Sequence, residues 1–171
     1  MERPTDTEYA SFYARYVALV PETDIMAVLD SQVDEIRRLA GSVPAERESY
    51  RYAEGKWSIR QALGHLVDGE RIFGYRAFCI SRGEKAALPS FDENEYVAGA
   101  RSEATPLVEL VDEFALVRRS NLVVLRRLVP VEWARVGTAS GKPVSVRALA
   151  WVMAGHPRHH LEVLRERYGL R

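Results

Sequence analysis

Cysteine is nearly absent from this chain. Cys79 stands alone among 171 residues, which excludes an internal disulfide and fits a reducing compartment such as the cytoplasm. A single thiol with histidines elsewhere is a candidate nucleophile. Cys79, however, lies off the main apolar stripe of its segment and about four turns from His65, so it reads as an incidental surface or half-buried thiol. Net charge is absent as well. Lys plus Arg and Asp plus Glu both number 24, with the two signs interspersed, so the basic footprint of a nucleic-acid binder is missing. No apolar run is long enough to span a bilayer, which excludes a helical membrane protein. The opening stretch MERPTDTEYASFYARY is acidic and polar where a secretory signal is basic and then apolar. Repeats, low-complexity tracts and linkers are also lacking. The expectation is a single cytoplasmic domain over residues 1–171, long enough to bury a real core.

What is present is helical periodicity. Ile25, Val28, Leu29, Gln32, Val33, Ile36 and Leu39 recur at helical spacing after Thr23 and Asp24, either of which suits an N-cap. Ser58 with Gln61 three residues on forms a capping box, and the helix it opens runs to a natural stop at Arg82-Gly83. Gly64, Gly69 and Gly74 inside that helix each cost about 1 kcal/mol against Ala, so close approach of a neighbour is the expected reason for them. Thr105-Pro106 reads as a cap and first helical residue, and Ser145 as a further cap after a turn at Ser140-Gly141-Lys142-Pro143. Helices are expected near 23–40, 59–82, 106–128 and 146–168, with a short amphipathic piece before them and essentially no sheet. The connection between Gly83 and Thr105 is long and irregular, and such loops are often functional. The pattern predicts an all-α four-helix bundle.

Histidine is scarce too, and its placement is informative. His65 stands alone, whereas His156, His159 and His160 crowd the C-terminal helix. Projected at 100° per residue, Leu149, Met153, His156, His160 and Leu164 share a sector roughly 80° wide, while His159 points elsewhere. His65 sits at the edge of the apolar stripe of its own helix, facing a seam. Three imidazoles converging there would hold a divalent transition metal with one position left open, as catalytic zinc sites do. The alternative is core histidines satisfied by hydrogen bonds. Pro157 removes the hydrogen bond to the Met153 carbonyl and favours a kink beside His156. Asp68, Glu70 and Glu162 are nearby carboxylates. Asp68 and Glu70 are the candidates for proton handling, and solvated surface roles are the bland alternative.

Three stretches carry a family resemblance: Gly55-Lys56-Trp57-Ser58-Ile59, Gly64 to Arg71 (GHLVDGER) and Ala154 to Glu162 (AGHPRHHLE). Together they resemble the DinB superfamily, and more narrowly its YfiT-like branch of metal-dependent hydrolases and bacillithiol S-transferases. The resemblance implies a bundle in up-up-down-down order with one long crossover, often assembled as a homodimer. It implies a metal, zinc or nickel first and iron or manganese as alternatives, on His65, His156 and His160, with His159 outside the ligand set. It leaves the reaction open. A metal-dependent thiol S-transferase or hydrolase is one expectation, acting on a small-molecule substrate with a thiol such as bacillithiol or mycothiol. A non-catalytic metal-binding stress or sensor protein is the other. Arginines at the mouth of the site (Arg71, Arg76, Arg147 or Arg158) would favour the first, because thiol cofactors carry carboxylates.

Overall fold

A computed structural model describes residues 2–170. After two short 3-10 turns and α1 (Ala14–Ala18), the bundle is built from α2 (Ile25–Gly41), α3 (Ile59–Ser81), α5 (Leu107–Leu125) and α7 (Val146–Tyr168). The short helices α4 (Glu93–Gly99) and α6 (Pro130–Trp133) lie in the connections. The long helices begin where local chemistry dictates. Asp24 accepts from the Ala27 amide, Ser58 and Gln61 form the reciprocal capping box, and Ser145 accepts from the Ala148 amide.

Cross-helix pairs give the direction of each helix. Asp30 and Arg37 of α2 meet Arg126 and Asp112, so α2 and α5 are antiparallel. Glu70 and Gly74 of α3 face Arg118 and Asn121 of α5, so these two run parallel. Gln32 and Glu35 of α2 meet Ala154 and Arg165 of α7, which are parallel in turn. The order is therefore up-down-down-up, a correction to the expected up-up-down-down. The single long crossover stands, because two parallel neighbours, here α3 and α5, cannot be joined by a tight turn.

Two further details differ from expectation. A β-hairpin pairs β1 (Val136–Ala139) with β2 (Lys142–Ser145), where essentially no sheet was expected. Ser140 and Gly141 both have positive φ, the signature of a two-residue turn whose twist suits a hairpin, and four-residue strands are too short to show a periodicity. The crossover joins this hairpin: the Leu88 amide donates to Thr138 O at 2.8 Å, and Leu88 O accepts from the Ser140 amide. The third long helix starts at Leu107 with Pro106 as an N-cap that makes no side-chain bond, whereas Thr105 Oγ1 donates back to Arg101 O. It also ends at Leu125, three residues early. At Pro157, where the loss of a backbone hydrogen bond was expected, α7 continues as α-helix. The Met153 carbonyl that proline leaves without an amide partner accepts from Arg118 Nη2 at 2.9 Å.

Arg118 is the centre of the bundle's polar core. It is fully buried, donates from Nε and Nη2 to the two carboxylate oxygens of Glu70 at 2.8 Å each, and also reaches Leu29 O and Gln32 Oε1. Asn121 adds a third donor to Glu70. Apolar clusters pack on either side of this layer. One gathers around Trp151, Leu149 and Phe73 with α1, and the other around Ile59, Leu66, Phe114 and Leu161.

Candidate metal centre

The helices α3 and α7 run antiparallel in direct contact and bring His65 against His156 and His160. The three rings form a nearly equilateral triangle, with centroids 4.8, 4.7 and 4.6 Å apart. Their ligand atoms all lie within 4.8 Å of one another. Nε2 of His65 and Nε2 of His156 are 2.9 Å apart, close enough for one ring to donate to the other. Such closeness depends on Gly69. A Cβ at that position would sit 2.6 Å from His156 Cε1, so only glycine lets the imidazole lie across α3. The expected reason for the helical glycines holds here, and also at Gly64 against Ser102 and Gly74 against Asn121. Gly69→Ala is therefore expected to displace His156 and weaken metal binding at least tenfold, read by competition with a chromogenic chelator. Unchanged affinity would show that α3 and α7 can part without cost.

The donor set fits a divalent transition metal because the rings are kept neutral. Burial pushes the His65 pKa down to about 4, with a smaller contribution from His159. Burial, followed by the neighbouring histidines, holds His156 and His160 well below the ordinary imidazole value. A lone pair is what a metal requires. Tetrahedral coordination at about 2.1 Å spaces its ligands about 3.4 Å apart, so modest ring rotations close the triangle. The same burial has a consequence for stability. Below about pH 6.5 the unfolded chain binds a proton that folded His65 refuses, so the stability this residue contributes falls with pH until about pH 4. For His65 alone that loss amounts to roughly 3 kcal/mol. Chemical denaturation of the metal-free protein at pH 7 and pH 5 should show the drop, and equal midpoints would contradict it.

Aromatic side chains wall the centre. Trp57 stacks near His160 and lies 4.7 Å from the His65 ring, and Tyr16 meets His156 edge-on at 5.4 Å. Phe73 also meets His156 edge-on, at 5.4 Å. Tyr16 itself is held by a hydrogen bond from Arg15. A cleft of about 270 Å³ opens onto all three histidines, with Arg15, Arg76 and Glu93 on its rim and walls.

The other sequence candidates separate. His159 points away from the triangle into a neighbouring cleft shared with Trp57 and Tyr168, and its ring lies 5.6 Å from Tyr16. Glu162 is exposed, and its charge acts on His159. Glu70 does not reach the triangle, since its carboxylate is taken up by Arg118 and Asn121. Asp68 faces α5, where burial and then Glu113 raise its pKa against the lowering effect of Arg71. His65 Nδ1 is buried without a hydrogen-bond partner among the described residues, so neither carboxylate orients that ring. Of the arginines, Arg71, Arg147 and Arg158 pair with Glu113, Glu8 and Glu22. Tyr16, Phe73 and Glu93 were missed from the sequence. Trp57 lay within a recognised stretch, but nothing local marked the others.

A helical bundle carrying a buried three-histidine centre between two of its helices defines a class, and the sequence falls within it. Residues 29–164 match the DinB superfamily, and the chain belongs to that family. Among solved structures it is similar to YfiT from Bacillus subtilis, a probable metal-dependent hydrolase with an unusual four-helix bundle topology. The two superpose with a TM-score of 0.77 at 15% identity, over 99% of this chain and 95% of that one. It is also similar to the mycothiol-dependent maleylpyruvate isomerase, with a TM-score of 0.66 at 15% identity, covering 85% of this chain and 61% of the other. At such identities the likeness shows a shared fold. No curated protein matches the chain in sequence.

Proposed function

We propose that this protein is a metal-dependent enzyme, a thiol S-transferase or hydrolase, that activates a thiol or water for attack on a small electrophile. The observation that carries the reading is the convergence of three neutral imidazoles at an open cleft. When bound, the metal would supply a local positive charge that deprotonates a coordinated thiol and lowers the pKa of coordinated water to about 7. Zinc or nickel suits the set best, with iron or manganese as alternatives, since imidazole accepts several of these ions.

The chain's own residues do the rest. His65, His156 and His160 would hold the ion where their rings line the cleft. Trp57, Tyr16 and Phe73 exclude bulk water and strengthen electrostatic interactions inside. Glu93 is the carboxylate that reaches the cleft among the described residues, so it takes the proton-handling role in preference to Asp68 or Glu70. The YfiT and isomerase likenesses support a small molecule or a low-molecular-weight thiol, such as bacillithiol or mycothiol, as the partner.

Metal analysis of the purified protein, followed by transfer and hydrolysis assays across a panel of thiols and electrophiles, tests the proposal. Turnover that needs the metal is expected. A metal-loaded protein inactive across the panel, whose cobalt-substituted spectrum thiols leave unchanged, would favour the non-catalytic sensor role. The same reading places the protein in the cytoplasm. It includes a homodimer formed on the α3–α5 face, where Tyr75, Phe78 and Leu116 are exposed. A monomer mass by light scattering at micromolar concentration would refute the dimer.

A further inference from the structure

Among the described residues the bundle buries two guanidinium groups and treats them differently. Arg118 is matched by the Glu70 carboxylate, as a buried cation normally must be. Arg76 is 2% exposed, yet among the described residues every hydrogen bond it makes goes to an uncharged acceptor. It donates from Nη1 to Tyr13 Oη at 2.9 Å, and from Nη2 to Pro89 O at 2.6 Å and Ser140 Oγ at 3.0 Å. Among the described residues no carboxylate lies within ion-pair distance of it. Neutral acceptors satisfy N–H groups but do not cancel the charge, and only three of the five guanidinium N–H donors are used.

Its position gives that charge a purpose. Arg76 lines the same cleft as the three histidines. His65, Gly69, Phe73 and Arg76 fall within about 80° on one side of α3, with about 16 Å of helix rise between the first and the last. Side chains on a helix lean toward its N-terminus, so Arg76 leans toward His65 and shortens that gap. The floor between them is aromatic. Phe73 packs 6.0 Å from Tyr13 and 5.4 Å from His156, and Phe91 of the crossover lies 5.8 Å from the Arg76 guanidinium. A cation thus stands at one end of the cleft and the imidazole triangle at the other, with apolar surface between.

We propose that Arg76 is an anion anchor that binds the carboxylate of a small molecule lying along this cleft. The placement of that molecule's other end at the three histidines rests on the function proposed above; the anion site itself does not. The competing role for Arg76 is a strut tying Tyr13, Pro89 and Ser140 together. The two are separated by titrating metal-stripped full-length protein with benzoate and butyrate, and with their neutral counterparts benzamide and butyramide, by calorimetry and thermal melting. The acids should bind and raise the melting temperature of the wild-type protein, and the amides should not. Arg76→Gln should weaken acid binding about tenfold to a hundredfold, the worth of a charge-assisted hydrogen bond. Ser140→Ala, which removes a strut contact and keeps the cation, should leave it within about twofold. The wild-type melts need no variant to fold. Acids and amides that act alike, or no effect from either, would overturn the anchor, as would acid binding by Arg76→Gln equal to wild type. Because these measurements use no metal, a failed metal analysis would leave the anion result standing, and the reverse also holds.

Discussion

His156→Ala is expected to abolish stoichiometric binding of zinc or nickel, and His65→Ala and His160→Ala to do the same, whereas His159→Ala should keep the ion. Each of the three supplies one of the converging nitrogen atoms. Removing one leaves two ligands and an enlarged cavity. Even losses of residues that merely orient a ligand cost tenfold to a hundredfold in metal affinity, so loss of a ligand itself should exceed about a hundredfold. Metal content after dialysis against a weak chelator measures this directly. The variants should remain folded at pH 7, because His65 and His156 are neutral there and contribute packing rather than charge. Equal metal loss in His159→Ala would mean that the last helix presents a different face to α3.

Disrupting the pair between Glu70 and Arg118 has the largest expected effect on stability. Both groups are essentially without solvent contact, at 1% and 0% side-chain exposure, and they meet through two hydrogen bonds. Glu70→Ala strands a buried guanidinium at a cost of about 3 to 5 kcal/mol, a large part of the stability of an ordinary domain. Arg118→Met strands the carboxylate and also leaves the Met153 carbonyl beside Pro157 without its donor. The double variant Glu70→Leu/Arg118→Met should be less destabilised than the sum of the singles, because no charge is left unmatched. Urea denaturation reads all three. Metal affinity of the folded Glu70→Ala fraction should change by no more than a few-fold. Preserved stability with lost turnover would instead assign Glu70 to proton handling.

The sequence by itself determined what depends on residues a few positions apart. The caps at Asp24, Ser58 and Ser145 were legible because each is a hydrogen bond closed within three residues. The shared face of His156 and His160, and the divergence of His159, follow from helix geometry alone. The long helices and the crossover follow from periodicity and its interruption. Tertiary structure decided everything that turns on which faces meet. His65 lay at the edge of its stripe, and packing α3 against α7 across Gly69 turned that ambiguous angle into a third converging imidazole. Asp68 and Glu70 looked equivalent from their spacing, yet the parallel α3–α5 seam gave one of them Arg118 as a partner. The helix directions, the donor that rescues Met153 O, and the uncompensated charge of Arg76 in the histidine cleft arise from residues distant in the chain. Local hydrogen bonds and periodicity are written in short windows of sequence, whereas the partner of a buried charge is chosen by the packing of whole helices.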